Sequence, residues 1–108
     1  PTELAEARGG SPLVRVGDAW VALVHHTHIE PIRHYSHRLV EFRAKGQGFQ
    51  VSRYSTPFFL LRAGGIEFAT GLSFNDGKAN VYFGLEEKQS VVLICELSSF
   101  LGLLVNEA

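Results

Sequence analysis

An all-β fold, an antiparallel meander of seven to eight strands with a short C-terminal helix, is the class this sequence predicts. Three observations predict it. Apolar and polar residues alternate with period two through most of the chain. Turn signals recur every ~8–12 residues. No helical pattern separates the alternating runs, so parallel sheets with crossover helices are not expected.

The elements follow in order. Residues 1–8 read as a short helical or frayed arm, and Gly9-Gly10-Ser11-Pro12 as a break. Leu13–Val16 and Ala19–His28 form a tight hairpin across Gly17-Asp18. Pro31 interrupts the run. Tyr35–Ala44 alternates, with Tyr35, His37, Leu39 and Glu41 on one face and Arg38, Val40 and Phe42 on the other. Lys45-Gly46-Gln47-Gly48 is a turn, Phe49–Ser55 a strand, and Phe58-Phe59-Leu60-Leu61 a short buried run before Gly64-Gly65. Ile66–Phe74 alternates next, with Glu67, Ala69, Gly71 and Ser73 opposite the apolar set. Asn75-Asp76-Gly77-Lys78 is a hairpin turn, Ala79–Leu85 a strand, Glu86-Glu87-Lys88-Gln89 a charged turn, and Val91–Leu97 an apolar strand. Ser98 is placed as the N-cap of a closing helix, Ser99–Val105. The plan is one module, 1–108, made of two propeller-blade-like sheets, approximately 9–62 and 63–108.

Composition narrows the function classes. Basic and acidic residues number 10 and 11, so no electrostatic footprint for nucleic acid or an anionic membrane is expected. No apolar run reaches the ~20 residues of a membrane helix. The single cysteine, Cys95, excludes an intrachain disulfide and reads as a buried, inert thiol, which points to a reducing cytoplasm. A chain with no methionine is expected to be processed, trimmed or a piece of a larger protein.

Polar chemistry concentrates in the first half. His25, His26, His28, His34 and His37 fall close together. On a strand, His26 and His28 share one face, and neutral imidazoles so spaced can ligate a transition metal, with His37, Glu30 or Glu41 as a third donor. The alternative is a set of imidazoles lining a polar strand end. With no Cys or Asp at ligand spacing, no metal or other cofactor is expected, and His26 and His28 are the positions nearest to such a role. Tyr35-Ser36-His37-Arg38 offers a guanidinium fork suited to phosphate, carboxylate or sugar hydroxyls. Glu67 is the one acid of its strand, among small neighbours, and reads either as a residue closely approached by a ligand or by another sheet, or as a solvent-facing carboxylate.

Several segments together resemble a family pattern. They are residues 8–14 (RGGSPLV), 20–25 (WVALVH), 35–42 (YSHRLVEF), 65–72 (GIEFATGL) and 81–84 (VYFG). In this order they resemble the glycosidase-like five-bladed β-propeller of the β-mannoside phosphorylase group, also found beside bacterial glycosyltransferase domains. The resemblance spans Arg8 to about Leu97. It implies a carbohydrate or phosphate ligand near Arg8, His25, Tyr35, His37 and Arg38, with Glu67 as the candidate catalytic acid. The sequence departs from that pattern at His26, where relatives often carry an acid, and after Phe83-Gly84, where an Asp and a Glu are usual and this chain has Glu87 and Gln89. Glycoside cleavage generally uses two positioned carboxyl groups. The expectation is therefore a carbohydrate-related propeller-like module, a fragment or degenerate relative, that binds glycan or sugar phosphate without established turnover. Two alternatives stand beside it. One is a protein-interaction module that forms a homo-oligomer, or joins a larger protein, through open sheet edges. The other is a glycoside hydrolase or phosphorylase completed by further blades.

Overall fold

The computed structural model describes residues 2–29, 34–61, 67–86 and 89–108. Glu30, Pro31, Gly64, Gly65, Ile66, Glu87 and Lys88, considered above, lie outside the described residues. Among those described, all-β architecture holds: two antiparallel sheets, of six and three strands, and one short C-terminal helix.

The larger sheet contains β1 (Arg8–Gly9), β2 (Val14–Val16), β3 (Ala19–His28), β4 (His34–Lys45), β5 (Gly48–Tyr54) and β9 (Asn106–Glu107). Its order is β1-β3-β4-β5-β9, with β2 also on β3. The smaller sheet is β6 (Glu67–Asn75), β7 (Lys78–Leu85) and β8 (Gln89–Glu96), in that order. Its β6–β7 turn is the expected one. Asn75 pairs with Lys78, and Asp76 and Gly77 both take positive φ, 51° and 72°. That is the type I′ hairpin, which Asp-Gly favours.

The segment read as a break, residues 9–12, does more than turn. Arg8 and Gly9 pair with His25 and Val24, Ser11 N–H donates to the Leu23 carbonyl at 3.0 Å, and Leu23 N–H donates to Ser11 Oγ at 2.8 Å. Gly10 lies between the sheets. A Cβ there would stand 2.8 Å from the Leu23 carbonyl oxygen and 3.1 Å from that of Ala69. Only glycine lets the two backbones approach so closely.

Two bulges reset the alternation. On β5, Val51 pairs with Phe42 and Arg53 with Glu41, which leaves Ser52 as the extra residue. On β6, Ala69 pairs with Phe83 and Gly71 with Tyr82, which leaves Thr70 as the extra residue. A bulge advances the side-chain phase by one position. Glu67 and Ala69 therefore share the buried face with Leu72, not with Gly71 and Ser73 as strict alternation predicts.

The core forms where the sheets face each other. Val21, Leu23 and Leu39 meet Ala69, Leu72, Ala79, Val81 and Phe83, closed by Phe100 and Leu104. Each Val, Leu or Phe side chain among them contributes roughly 1.5–3 kcal/mol on burial.

The C-terminus differs from expectation. The helix α1 runs Leu97–Leu101, and its N-cap is Glu96 with no side-chain cap bond, so Ser98 lies within the helix. Gly102 ends it, and residues 106–107 extend to pair with Tyr54 and Arg53 of β5. Pairing and the burial of Leu104 override helix propensity there. The second unit thus returns to the first sheet. The run 58–61 is no strand: Phe58 alone makes a bridge, to His37, while Phe59 and Leu61 are exposed. Cys95 is half-buried on β8 rather than enclosed, and desolvation raises its pKa.

Candidate functional site

The adjacent strands β3 and β4 sort the predicted site residues onto two faces. Residues opposite each other in an antiparallel pair point to the same side. His25 stands opposite His37 and Arg8 opposite His25, on the inner face with Tyr35. His26 stands opposite Ser36 and His28 opposite His34, on the outer face with Arg38.

The inner row is enclosed. His37 is 0% exposed, and His25 and Tyr35 are both buried. His37 exchanges both backbone hydrogen bonds with Phe58, each at 2.8 Å. Towards β3 it therefore forms the non-hydrogen-bonded kind of pair, in which side chains sit closest. The His25 ring packs on Phe68 at 4.5 Å and edge-on to Tyr35 at 5.5 Å. The His37 Nε2 accepts the Ala69 N–H at 3.3 Å, which leaves the proton of the neutral ring on Nδ1. Burial, and to a lesser degree the neighbouring His25 and His26, push the His37 pKa down to about 4. Desolvation also lowers His25, against the raising effect of a hydrogen bond to the Gly9 backbone. Arg8 itself is exposed at the rim.

Glu67 joins this inner group and is 0% exposed. Its carboxylate accepts the Leu60 N–H through Oε1 and the Leu61 N–H, at 2.8 Å, through Oε2. It clasps the 58–61 segment against β6. A ligand in solution has no access to it, so its geometry is that of a structural anchor. Glu41, considered above as a metal donor, is also engaged. Arg53 grips it with Nε at 3.0 Å and Nη2 at 2.8 Å, and Ser52 Oγ donates at 2.8 Å. The β5 bulge brings both donors to one carboxylate, and the Arg53 hydrogen bonds hold the Glu41 pKa below its usual range. Among the described residues, no three His, Cys, Asp or Glu side chains gather as a metal site.

The outer row is open. His26, His28, His34, Ser36 and Arg38 line a cleft of about 280 Å³, with Glu3, Pro57 and Phe59 at its edges. His28 Nε2 lies 2.8 Å from Ser36 Oγ, and the His28 and His34 rings stack at 4.7 Å. Arg38 is fixed by an Nη1 bond to the Ser55 carbonyl at 2.9 Å and by the Tyr54 ring, 5.7 Å from its guanidinium carbon. Tyr54 in turn donates its hydroxyl to Glu3 at 2.7 Å. Two nitrogens of this group, Arg38 Nε and His26 Nε2, are buried without a hydrogen-bond partner among the described residues. Desolvation, and then the Arg38 charge, lower the His26 pKa, so the ring is neutral at pH 7.

The predicted set is thus divided. His25, Tyr35, His37 and Glu67 are buried on the inner side with Arg8 exposed at its rim, while Arg38 faces away with His26 and His28. Strand parity separated the neighbours on each strand, and the β3–β4 register matched the faces. Glu3, Tyr54, Pro57 and Phe59 had no local signal, since they arrive from distant segments.

Fold and site define a two-sheet antiparallel β-protein with a polar cleft on the outer face of its larger sheet. Models of known protein families, curated proteins and solved structures were all compared with this chain, and none matches it. No helix among the described residues is long and apolar enough to cross a membrane.

Proposed function

We propose that this chain is a carbohydrate-related, propeller-like binding module that holds a sugar phosphate, or a glycan with an anionic group, in the outer cleft without turning it over. The observation that carries the reading is the open cleft itself, which gathers the imidazoles of His26, His28 and His34 and the guanidinium of Arg38 on one face of the larger sheet. The Arg38 fork suits a phosphate, while Glu3 at the edge accepts hydroxyl hydrogens, so a molecule carrying both groups fits best. The cleft is near the lower end of small-ligand pockets, roughly 300–1,000 Å³, which suits a single sugar unit. The enclosure of Glu67 supports binding rather than glycoside cleavage. The lone half-buried thiol fits a reducing cytoplasm.

The test is an NMR titration of the histidine ring signals with a hexose phosphate, the free hexose and inorganic phosphate. The hexose phosphate is expected to give saturable shifts at His26 and His28, weakened about tenfold or more in Arg38→Ala. Because Arg38 also holds Ser55, His28→Ala serves as a second variant that leaves that contact in place. Flat titrations with all three compounds would reject the reading.

A further inference from the structure

The two sheets treat their edges differently. On the larger sheet the outermost strands are short: β1 and β9 have two residues each and β2 three. Short edges offer little to pair with. On the smaller sheet, β8 has eight residues and among the described residues pairs only with β7, in unbroken register from Gln89 to Glu96. Between those ends it carries no charge, proline or bulge. Its outward residues Val92 and Ile94 are 47% and 59% exposed, and Tyr82 beside them on β7 is 44% exposed. Its inward residues Val91, Leu93 and Cys95 are only half-buried. A long, flat, apolar edge of this kind is a template for another strand.

We propose that β8 pairs antiparallel with β8 of a second copy of this chain, about a twofold axis through Leu93, to give a continuous six-stranded sheet. The arrangement of charge sets the direction in which the second copy pairs. Glu96 is the one charged residue of the strand and is already paired with Lys78 of its own chain. A parallel copy would set the two Glu96 carboxylates side by side, whereas an antiparallel copy sends them to opposite ends, and like charges directly opposite destabilise a sheet. The Leu93 axis keeps inner faces with inner faces. Val91 then stands opposite Cys95 of the partner subunit, and Val92 opposite Ile94 of the partner subunit. The stripe Tyr82, Val92 and Ile94 continues across the junction, and the half-buried inward residues gain cover. This closed contact is isologous, so it ends at a dimer. It is independent of the cleft, which lies on the other sheet.

Sedimentation equilibrium across the micromolar range tests the assembly, and two double variants test the register. The protein is expected at twice 11.9 kDa, with β8 amides protected from hydrogen exchange on dimerisation. Val92→Lys with Ile94→Lys places like charges opposite each other twice across the axis. Val92→Lys with Ile94→Glu places opposite charges there instead. Both positions are exposed, so both variants are expected to fold, with unchanged circular dichroism. The first is expected to dimerise on the order of tenfold more weakly than the second. A monomer throughout, species larger than a dimer, or equal weakening in both variants would overturn the proposal.

Discussion

His25 and His26 are neighbours in sequence on one strand, yet they live in different chemistries. His25 faces the second sheet, wedged between Tyr35 and Phe68, and belongs to the core. His26 faces the outer cleft beside Arg38. The same holds for His37 and Arg38 on β4. Residues one step apart become a packing element or a candidate binding group according to the face they take. The pleat alone makes that assignment, because successive side chains on a strand point oppositely.

Removing inner-face groups should damage the fold, and removing outer-face groups should spare it. The largest effect is expected for Glu67→Ala, which strands two backbone N–H groups in the interior. A loss of about 4 kcal/mol is expected in chemical denaturation, since breaking one side of a buried charged contact costs several kcal/mol. A neutral result would remove Glu67 from its anchoring role.

The second effect is on acid stability. The His37 pKa is about 4 in the fold against 6.5 as its ordinary value. Below 6.5 the unfolded chain takes up a proton that the folded chain does not. Stability from this residue is therefore complete above pH about 6.5 and falls as pH drops towards 4. Roughly 3 kcal/mol is expected to be lost over that window, most of it absent in His37→Gln, whose amide can also accept the Ala69 N–H. Denaturation curves at a series of pH values measure it. A parallel pH dependence in both proteins would move the acid sensitivity to another group.

The smallest effect on folding is expected for His28→Ala, which lies in the open cleft. Its stability should stay within about 0.5 kcal/mol of the parent. A large loss on melting would erase the contrast between the two faces.

Much of this molecule was legible in the chain. Period-two runs located β3, β4, β6 and β7, and Asp76-Gly77 announced its own turn. Counting positions separated His25 from His26 and His28, and Arg38 from Tyr35 and His37, but which faces coincide across the two strands came from their register, which puts His37 with His25 and Arg38 with His26 and His28. The account of Glu67 did not follow, because counting fails across a bulge. The extra residue Thr70 has no distinctive chemistry, and it turns Glu67 from the face of Gly71 to that of Leu72. Ser52 does the same beside Glu41, and converts a candidate metal donor into the partner of Arg53.

The closing helix shows the same limit. Ser98 is a good cap by its side chain, but the chain must be extended again by Asn106 to reach β5. That demand comes from a strand some fifty residues earlier in the chain.

Alternation and turn chemistry are short-range properties, settled by sterics within a few residues, and they determined the all-β class and most strands from sequence alone. Which carboxylates are enclosed, which segments meet at the cleft, and which strand is left as a bare edge depend on contacts between residues far apart in the chain. Those were decided by the packing of one sheet on the other, because burial and long-range pairing outweigh the small local preferences that a sequence displays.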